Sequence, residues 1–336
     1  MQKVSPYRTS VKHARRAQTK TVYRVKNWAA YNQALIDRGD LTVWLDEAVL
    51  TGWHECGRPQ RGAQYIYSDR AIETALTFRL LFDLPLRQTQ GFMASLMRLL
   101  GVDLAVPTYS TLSRRQGTLS VALPTTPAQA PMHLVVDSSG LKVYGESEWK
   151  VRQHGWSTRR TWRKLHMGLN ADTGEVVAQT LTEARFDDAS QAKPLLEQTA
   201  GPIARFYGDG GYDRWKVHRV LAYPPADQTA PIEAVIPPQK NATMRTAKRR
   251  YRHIEARNQR VEAIERIGRK RWKKQTGYHR RSLAETGVAR YKRIIGPKLR
   301  ARALPCQQGE ARLGCSILNR MIHLGKPESY AVEITR

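Results

Sequence analysis

From Met132 onward the chain alternates short apolar runs with helical periodicity, and that order restricts the folds open to it more than any other feature. His133-Leu-Val-Val-Asp137 reads as a short strand ending in an acid. Arg163 to Leu169 and Glu175 to Leu181 read as a hairpin around the turn Asp172-Thr-Gly174. Asp187 or Asp188 can cap a helix through Leu196, Ala204-Arg-Phe-Tyr-Gly-Asp209 is a second strand ending in an acid, and a helix follows through Val217 and Leu221. The strand Glu233-Ala-Val-Ile236 closes on Pro237 and Pro238, and long basic helices extend from Arg252 to beyond Lys292. Three strands, helix, strand, helix, strand, helix specify a mixed α/β sheet flanked by helices. In that order the first and fourth strands are neighbours, which sets Asp137 beside Asp209.

This is the element order of a ribonuclease-H-like domain, expected over residues 132–325. Residues 27–120 read as helical, with short helices around Trp28, Trp44 and Trp53 and a helix from Asp69 to Phe82 carrying Ile72, Leu76, Leu80 and Leu81 at helical spacing. Pro85 opens the next helix, which carries Phe92, Leu96, Leu99 and Leu100 and stops at Gly101; a third begins after Pro107 with Thr108 or Ser110 as N-cap. Three short helices with a basic, hydroxyl-rich last member resemble a helix-turn-helix unit, whose final helix presents Tyr109, Ser110, Thr111, Ser113, Arg114 and Arg115 to DNA. A plain helical packing domain is the alternative. Residues 121–131, with Pro124, Pro127 and Pro131, read as a linker and 326–336 as a tail. Residues 1–26 contain eight Lys or Arg and no acid, the composition of a flexible basic arm that tracks phosphate.

The formal charge of +27, from 56 Lys and Arg against 29 Asp and Glu, exceeds what solubility needs. It points to a polyanionic partner, double-stranded DNA rather than a membrane. No apolar run approaches the ~20 residues of a membrane span, and the N-terminus lacks the apolar core of a secretory signal. A cytoplasmic, nucleoid-associated protein is expected. Residues 240–274 hold fourteen Lys or Arg against Glu255, Glu262 and Glu265, so a basic helical segment that grips DNA is expected there, with Lys248, Arg249 and Arg250 among its contacts. Lys150, Arg152, Arg163 and Lys164 make the hairpin region basic in the same sense. Cys56, Cys306 and Cys315 are odd in number and scattered, which favours reduced structural thiols over a disulfide framework or a zinc site.

The stretch Tyr278-His-Arg-Arg281-Ser-Leu-Ala-Glu285-Thr-Gly-Val-Ala-Arg-Tyr-Lys292 has the form Y-x2-R-x3-E-x6-K. At about 100° per helical residue, Tyr278, Arg281, Glu285 and Lys292 share one stripe, while Leu283, Ala284, Ile294 and Ile295 fall on an apolar face. A carboxylate among two cations and a phenol suits a metal ion beside a phosphate backbone; a solvated face laced with ion pairs is the plainer alternative. Three carboxylates, Asp137, Asp209 and Glu285, converging without cations raise one another's pKa values. Two divalent ions about 3.5–4 Å apart neutralise such a set. Oxygen-only donors point to Mg²⁺, with Mn²⁺ as a substitute, one ion for the attacking water or DNA 3′-hydroxyl and one for the leaving oxygen. Asp137 could instead form a turn before Ser138-Ser-Gly140, Asp209 could cap a helix after Gly210-Gly211, and Asp213 rivals Asp209. His154, His166 and His279 suit DNA contact or packing better than hard-ion ligation.

Asp137-Ser-Ser-Gly-Leu-Lys-Val-Tyr-Gly, Trp149-Lys-Val-Arg-Gln-His-Gly, Arg160-Thr-Trp-Arg-Lys-Leu-His166, Tyr207-Gly-Asp-Gly-Gly-Tyr-Asp213, the box and Ile317-Leu-Asn-Arg-Met321 together resemble bacterial DDE transposases of insertion sequence family five. The resemblance runs from about Lys26 to Pro327 and includes Lys26-Asn-Trp28 and Tyr109-Ser-Thr-Leu-Ser-Arg-Arg115. It implies that Asp137, Asp209 and Glu285 form a metal-holding catalytic triad and that Tyr278, Arg281 and Lys292 handle DNA. It also implies binding of the terminal inverted repeats, cleavage of the ends, joining of their 3′-hydroxyls to target DNA, and a homodimer or higher oligomer assembled on DNA. A nuclease of the same fold without strand transfer and a catalytically silent DNA-binding protein are the competing functions. The intact acids argue against the second.

Overall fold

The computed structural model describes residues 19–56, 65–143, 162–225, 228, 230–246 and 251–335. The chain divides into two compact units, Met1–Gly39 with Leu324–Arg336, and Asp40–His323. In the smaller unit strand β1 (Thr19–Val25) pairs antiparallel with a strand at the other end of the chain, Ser329–Thr335, and helix Trp28–Asp37 follows β1. The expected flexible arm and tail are therefore partly strand. Both segments are rich in β-branched residues, and Val22 stands opposite Val332 and Tyr23 opposite Ala331, a cross-strand pattern that suits an antiparallel ladder. Residues 1–18 lie outside the described residues.

In the larger unit, helices Asp69–Leu81, Leu86–Leu99 and Tyr109–Arg115 form where the apolar spacing places them. The Ser68 side chain accepts from the Ala71 amide and Thr108 from the Thr111 amide, and each satisfies one of the unpaired donors at a helix start. Their apolar residues, including Trp53, Phe78 and Leu112, belong to one core with Val135, Leu141 and Leu165 of the sheet. Residues 121–131 thus do not separate two cores, and the boundary between the units falls at residues 39–40 instead.

The sheet is built on β2 (Met132–Val143), with β3 (Trp162–Asn170), β4 (Val176–Glu183), β5 (Ile203–Tyr207), β6 (Glu233–Val235) and β7 (Lys298–Leu299); Ser329–Thr335 is β8. Its order is β4-β3-β2-β5-β6, with β7 added to β2. β2, β3 and β4 are antiparallel, whereas β5 and β7 run parallel to β2 and β6 runs parallel to β5. β2 does not turn at Ser138. β3 pairs with it from Leu134 to Lys142, so Asp137 sits inside a long strand rather than at its end. On the other edge β5 stops at Val135–Tyr207 and β7 joins only at Lys142 and Val143, which leaves the middle of β2 without a partner on that side.

Side-chain alternation separates two packed faces. Val135, Leu141, Leu165, Met167, Leu169 and Tyr207 pack with Ala284 and Tyr291 of helix Ser282–Ile294 and with helix Leu304–Leu324. Leu134, Val136 and Phe206 pack with helices Ala192–Gln198 and Trp215–Ala222. Gly287 lets helix Ser282–Ile294 lie close to the sheet, because a Cβ there meets Leu169 Cδ2 at 2.4 Å. Buried Asn319 fastens the C-terminal helix to the start of β4: its amide nitrogen donates to the Val176 carbonyl at 2.8 Å and its oxygen accepts the Val176 amide at 2.8 Å.

Candidate active site

The β2–β5 register ends at Val135 and Tyr207, and Asp137 and Asp209 each follow two residues later, Asp137 within β2 and Asp209 at the start of the turn Gly210–Tyr212. By alternation Asp137 faces the same side as Val135, the side covered by helix Ser282–Ile294 with Glu285 in its first turn. Asp209 and Glu285 both lie close enough to Asp137 for their charges to act on its carboxyl, where β5 ends beside the middle of β2. Asp209 Oδ1 accepts the Gly211 amide at 2.9 Å, so it also caps the short turn Gly210–Tyr212. A Cβ on Gly211 falls 2.9 Å from that same oxygen, which explains glycine there.

Arg281 lies among the acids. Its Nη1 is 3.6 Å from Asp137 Oδ2, and its Nη2 donates to Glu285 Oε1. Burial, above all, raises the Asp137 pKa; the Ser138 amide and Arg281 oppose the rise, and Asp209 and Glu285 reinforce it. Burial pulls the Arg281 pKa down, but Tyr278, Glu285 and Asp137 outweigh it and hold the guanidinium more firmly charged than usual. Tyr278 is buried, with Lys273 Nζ 4.9 Å from its ring centre, and burial lifts its phenol pKa. Among the described residues no three His, Cys, Asp or Glu side chains are gathered closely enough to hold a metal ion as they stand. Arg281 holds the position between Asp137 and Glu285 that a cation takes in such a set. The donors are all oxygen, which fits a hard divalent ion.

The box differs from one continuous helix. Tyr278–Arg281 is a 3-10 turn and the α-helix begins at Ser282, so the angular count from Tyr278 does not apply to its first turn. Leu283 is exposed, and the buried stripe is Ala284, Gly287 and Tyr291. Lys292 is seven residues beyond Glu285, about 10.5 Å along the axis at 1.5 Å per residue.

Other expected DNA contacts divide clearly. Tyr109, Ser110 and Arg114 are exposed and Thr111 is half-buried. Arg115 is buried instead: its guanidinium donates to the Tyr67 carbonyl at 2.9 Å and to Asp69, and stacks over Tyr65 at 3.8 Å. It ties helix Tyr109–Arg115 to the start of helix Asp69–Leu81 and presents no base-reading face. Arg163 Nε donates to Gln307 at 2.8 Å, and Lys164 Nζ to Asp188 and the Phe186 carbonyl at 3.0 Å, so these cations are engaged within the fold. Lys150, Arg152, His154, Lys248, Arg249 and Arg250 lie outside the described residues. His166 is buried on Thr182 at 2.9 Å, and burial pushes it down to about 4, which makes it a neutral packing residue. Cys56, Cys306 and Cys315 are free thiols.

Asp213 is saturated. Oδ1 accepts His218 Nε2 and Arg257 Nε at 2.8 Å each, and Oδ2 accepts Arg257 Nη2 at 2.8 Å and the Gln239 amide at 3.2 Å. Burial pushes its pKa up, but these bonds outweigh burial and hold it far below the usual carboxylate range. The sequence did not reveal this network. His218 and Arg257 stand on separate helices, 39 residues apart in sequence, and no spacing links them to Asp213.

A mixed sheet with helices on both faces, and acids where β5 parts from β2, fits a ribonuclease-H-like DDE domain. Two family models match the chain, each described as a transposase DDE domain, one over residues 36–146 and the other over residues 128–319. The second spans more than half of the 336 residues, and the chain belongs to the DDE transposase family. It is a metal-dependent, DNA-cleaving enzyme of DNA transposition. No solved structure matches it. Among the described residues, no helix is long and apolar enough to cross a membrane.

Proposed function

We propose that the protein is a transposase of insertion sequence family five that binds the inverted-repeat ends of its element, cleaves them and joins their 3′-hydroxyls to target DNA. The observation that supports this reading is the parallel pairing of β2 with β5, which ends two residues before Asp137 and Asp209, with Glu285 on the helix that packs against that face of the sheet. These three carboxylates are the residues to hold two Mg²⁺ ions. When bound, the ions supply Lewis-acid polarisation of the phosphate and a deprotonated attacking oxygen. Asp137 and Glu285, now paired with Arg281, would be the carboxylates to hold metal, and the planar fork of Arg281 would suit a DNA phosphate beside them. Tyr278 and Lys292 are the further DNA-handling residues of the box. Tyr109, Ser110, Thr111 and Arg114 read the ends as the last helix of a helix-turn-helix unit, residues 240–274 grip the backbone, and the basic residues Lys150, Arg152, Lys248, Arg249 and Arg250 add phosphate contacts.

Because one triad serves one end at a time, the working complex holds at least two protomers and two ends. A strand-transfer assay with labelled candidate ends, target duplex and Mg²⁺ tests the reading directly. Joined products that disappear in Asp137→Ala, Asp209→Ala and Glu285→Ala support it; cleavage without joining under the same conditions assigns a nuclease instead.

A further inference from the structure

Away from the carboxylates, a cavity of about 420 Å³ opens among helix Trp215–Ala222, strand β6 and helices Arg252–Ile267 and Arg269–Gln275. Its strand residues Glu233 and Ala234 are level with Arg205 and Phe206, three to four residues before Asp209, so it lies toward the amino ends of the parallel strands. Leu221, Ala222, Ala263 and Trp272 give it an apolar floor, and Arg252, His253 and Arg260 give it donors. Its volume is in the range of small-ligand sites.

Arg260 sets the chemistry. Its Nη2 lies 2.9 Å from His218 Nδ1, while His218 Nε2 lies 2.8 Å from Asp213 Oδ1. Arginine can only donate, so Nδ1 is the acceptor, the Nε2–H donates to Asp213, and the ring between them is neutral. The single charge of Asp213 is already met by two bonds from Arg257. Among the described residues Arg260 therefore has its hydrogen bond to an uncharged imidazole rather than to a carboxylate, and its Nε is buried without a partner. Glu233, the acid among the described lining residues, is held by Arg205 at 2.8 Å. His253 Nδ1 is likewise buried without a partner. Burial pulls Arg260 down to about 10, and Arg257 adds to the fall, although the charges of Asp213 and Glu233 oppose it. A buried cation of this kind is stabilised when an anion occupies the space beside it.

We propose that this cavity is an anion site that takes a phosphate group on Arg260 and Arg252, separate from the carboxylate site and independent of its assignment. Two N–H groups of a guanidinium match two phosphate oxygens, and the apolar floor accommodates what the phosphate carries. The phosphate can belong to the backbone of bound DNA or to a free phosphate compound.

Thermal unfolding of the full chain in inorganic phosphate, against chloride at matched ionic strength, tests the site. The expected result is a saturable rise in midpoint for wild type that is absent in Arg260→Gln and needs at least tenfold more phosphate in Arg252→Gln. Arg252 is exposed, so its variant remains informative even if Arg260→Gln does not fold, and Arg98→Gln controls for loss of any exposed cation. No rise in wild type, or equal responses in Arg252→Gln and Arg98→Gln, overturns the proposal. Saturating duplex DNA separates the sources: the phosphate response vanishes if the DNA backbone fills the site, and persists if a free phosphate compound is its ligand.

Discussion

Asp209 and Asp213 stand four residues apart and have opposite surroundings. Asp209 is exposed and its Oδ1 accepts the Gly211 amide, whereas the Asp213 side chain is 1% exposed and receives four bonds from His218, Arg257 and Gln239. A carboxylate with unfilled lone pairs at a crevice can take a ligand. One whose lone pairs are filled by the fold is a framework piece, and a ligand can reach it only by breaking what holds the loop. Arg114 and Arg115 repeat the contrast at adjacent positions, one exposed and one tied to Tyr67 and Asp69.

The largest expected effects separate the two acids completely. Asp209→Asn lowers DNA cleavage at least about 10³-fold, roughly 4 kcal/mol of barrier, with the denaturant midpoint unchanged. Asp213→Asn removes the charge opposite buried Arg257 and costs about 3–5 kcal/mol of stability, the range for breaking a buried pair. Cleavage assays and denaturant melts on the same preparations decide it. Normal cutting by Asp209→Asn, with a stable but inactive Asp213→Asn, reverses the assignment of the second acid.

Acid titration sharpens the same contrast. The folded pKa of Asp213 is depressed, so its contribution is present above the unfolded value of about 3.9 and is lost as pH falls toward the folded value. The stability gap between wild type and Asp213→Asn is therefore constant from pH 7 to about 5 and narrows below about 4. A gap that instead widens as the pH falls is incompatible with a depressed Asp213.

Much of this arrangement was legible because periodicity reports burial. Leu134, Val135, Val136 and Phe206 are apolar on both faces, as strands in a covered parallel sheet must be, and the order of elements made β2 and β5 neighbours. The length of β2 was not legible: Ser138-Ser-Gly140 carries turn residues, yet pairing with β3 holds them extended. Long-range hydrogen bonding overrides local preference there. β1 was missed because its partner is more than 300 residues away in sequence, and a strand of Thr, Lys and Arg resembles a basic tail until that partner is known. Charge was misleading in the same way. Arg115, Arg163 and Arg257 look alike as surface cations in a sequence of +27, and only their contacts show that each supports the fold.

A smaller effect comes from metal. Mg²⁺ at ten times its dissociation constant stabilises the folded protein by about 1.4 kcal/mol through mass action, read as a rise in melting temperature. The rise is expected in wild type and in Asp213→Asn, measured from its own lower baseline, and not in Asp209→Asn or Asp137→Asn. A rise retained in Asp209→Asn places the ion elsewhere and removes the difference between the two acids that the geometry suggests.

The smallest effects on stability belong to the arginine pair. Arg115→Ala leaves the Tyr67 carbonyl without its donor and removes the stacking on Tyr65, a cost of about 1 kcal/mol in a denaturant melt. Arg114→Ala, at an exposed position, stays within about 0.5 kcal/mol of wild type and acts on DNA instead. If helix Tyr109–Arg115 reads the ends, Arg114→Ala lowers the ratio of end binding to random-duplex binding by about 1–3 kcal/mol, the worth of one good base contact. Neutralising Lys270 and Arg271 in the basic segment should weaken both duplexes alike and flatten the salt slope, because phosphate contacts position DNA without reading it. Competition binding at several salt concentrations distinguishes these outcomes. Equal loss on both duplexes from Arg114→Ala assigns that helix to backbone grip, and the helix-turn-helix reading then fails even though its neighbouring arginine still holds the helices together.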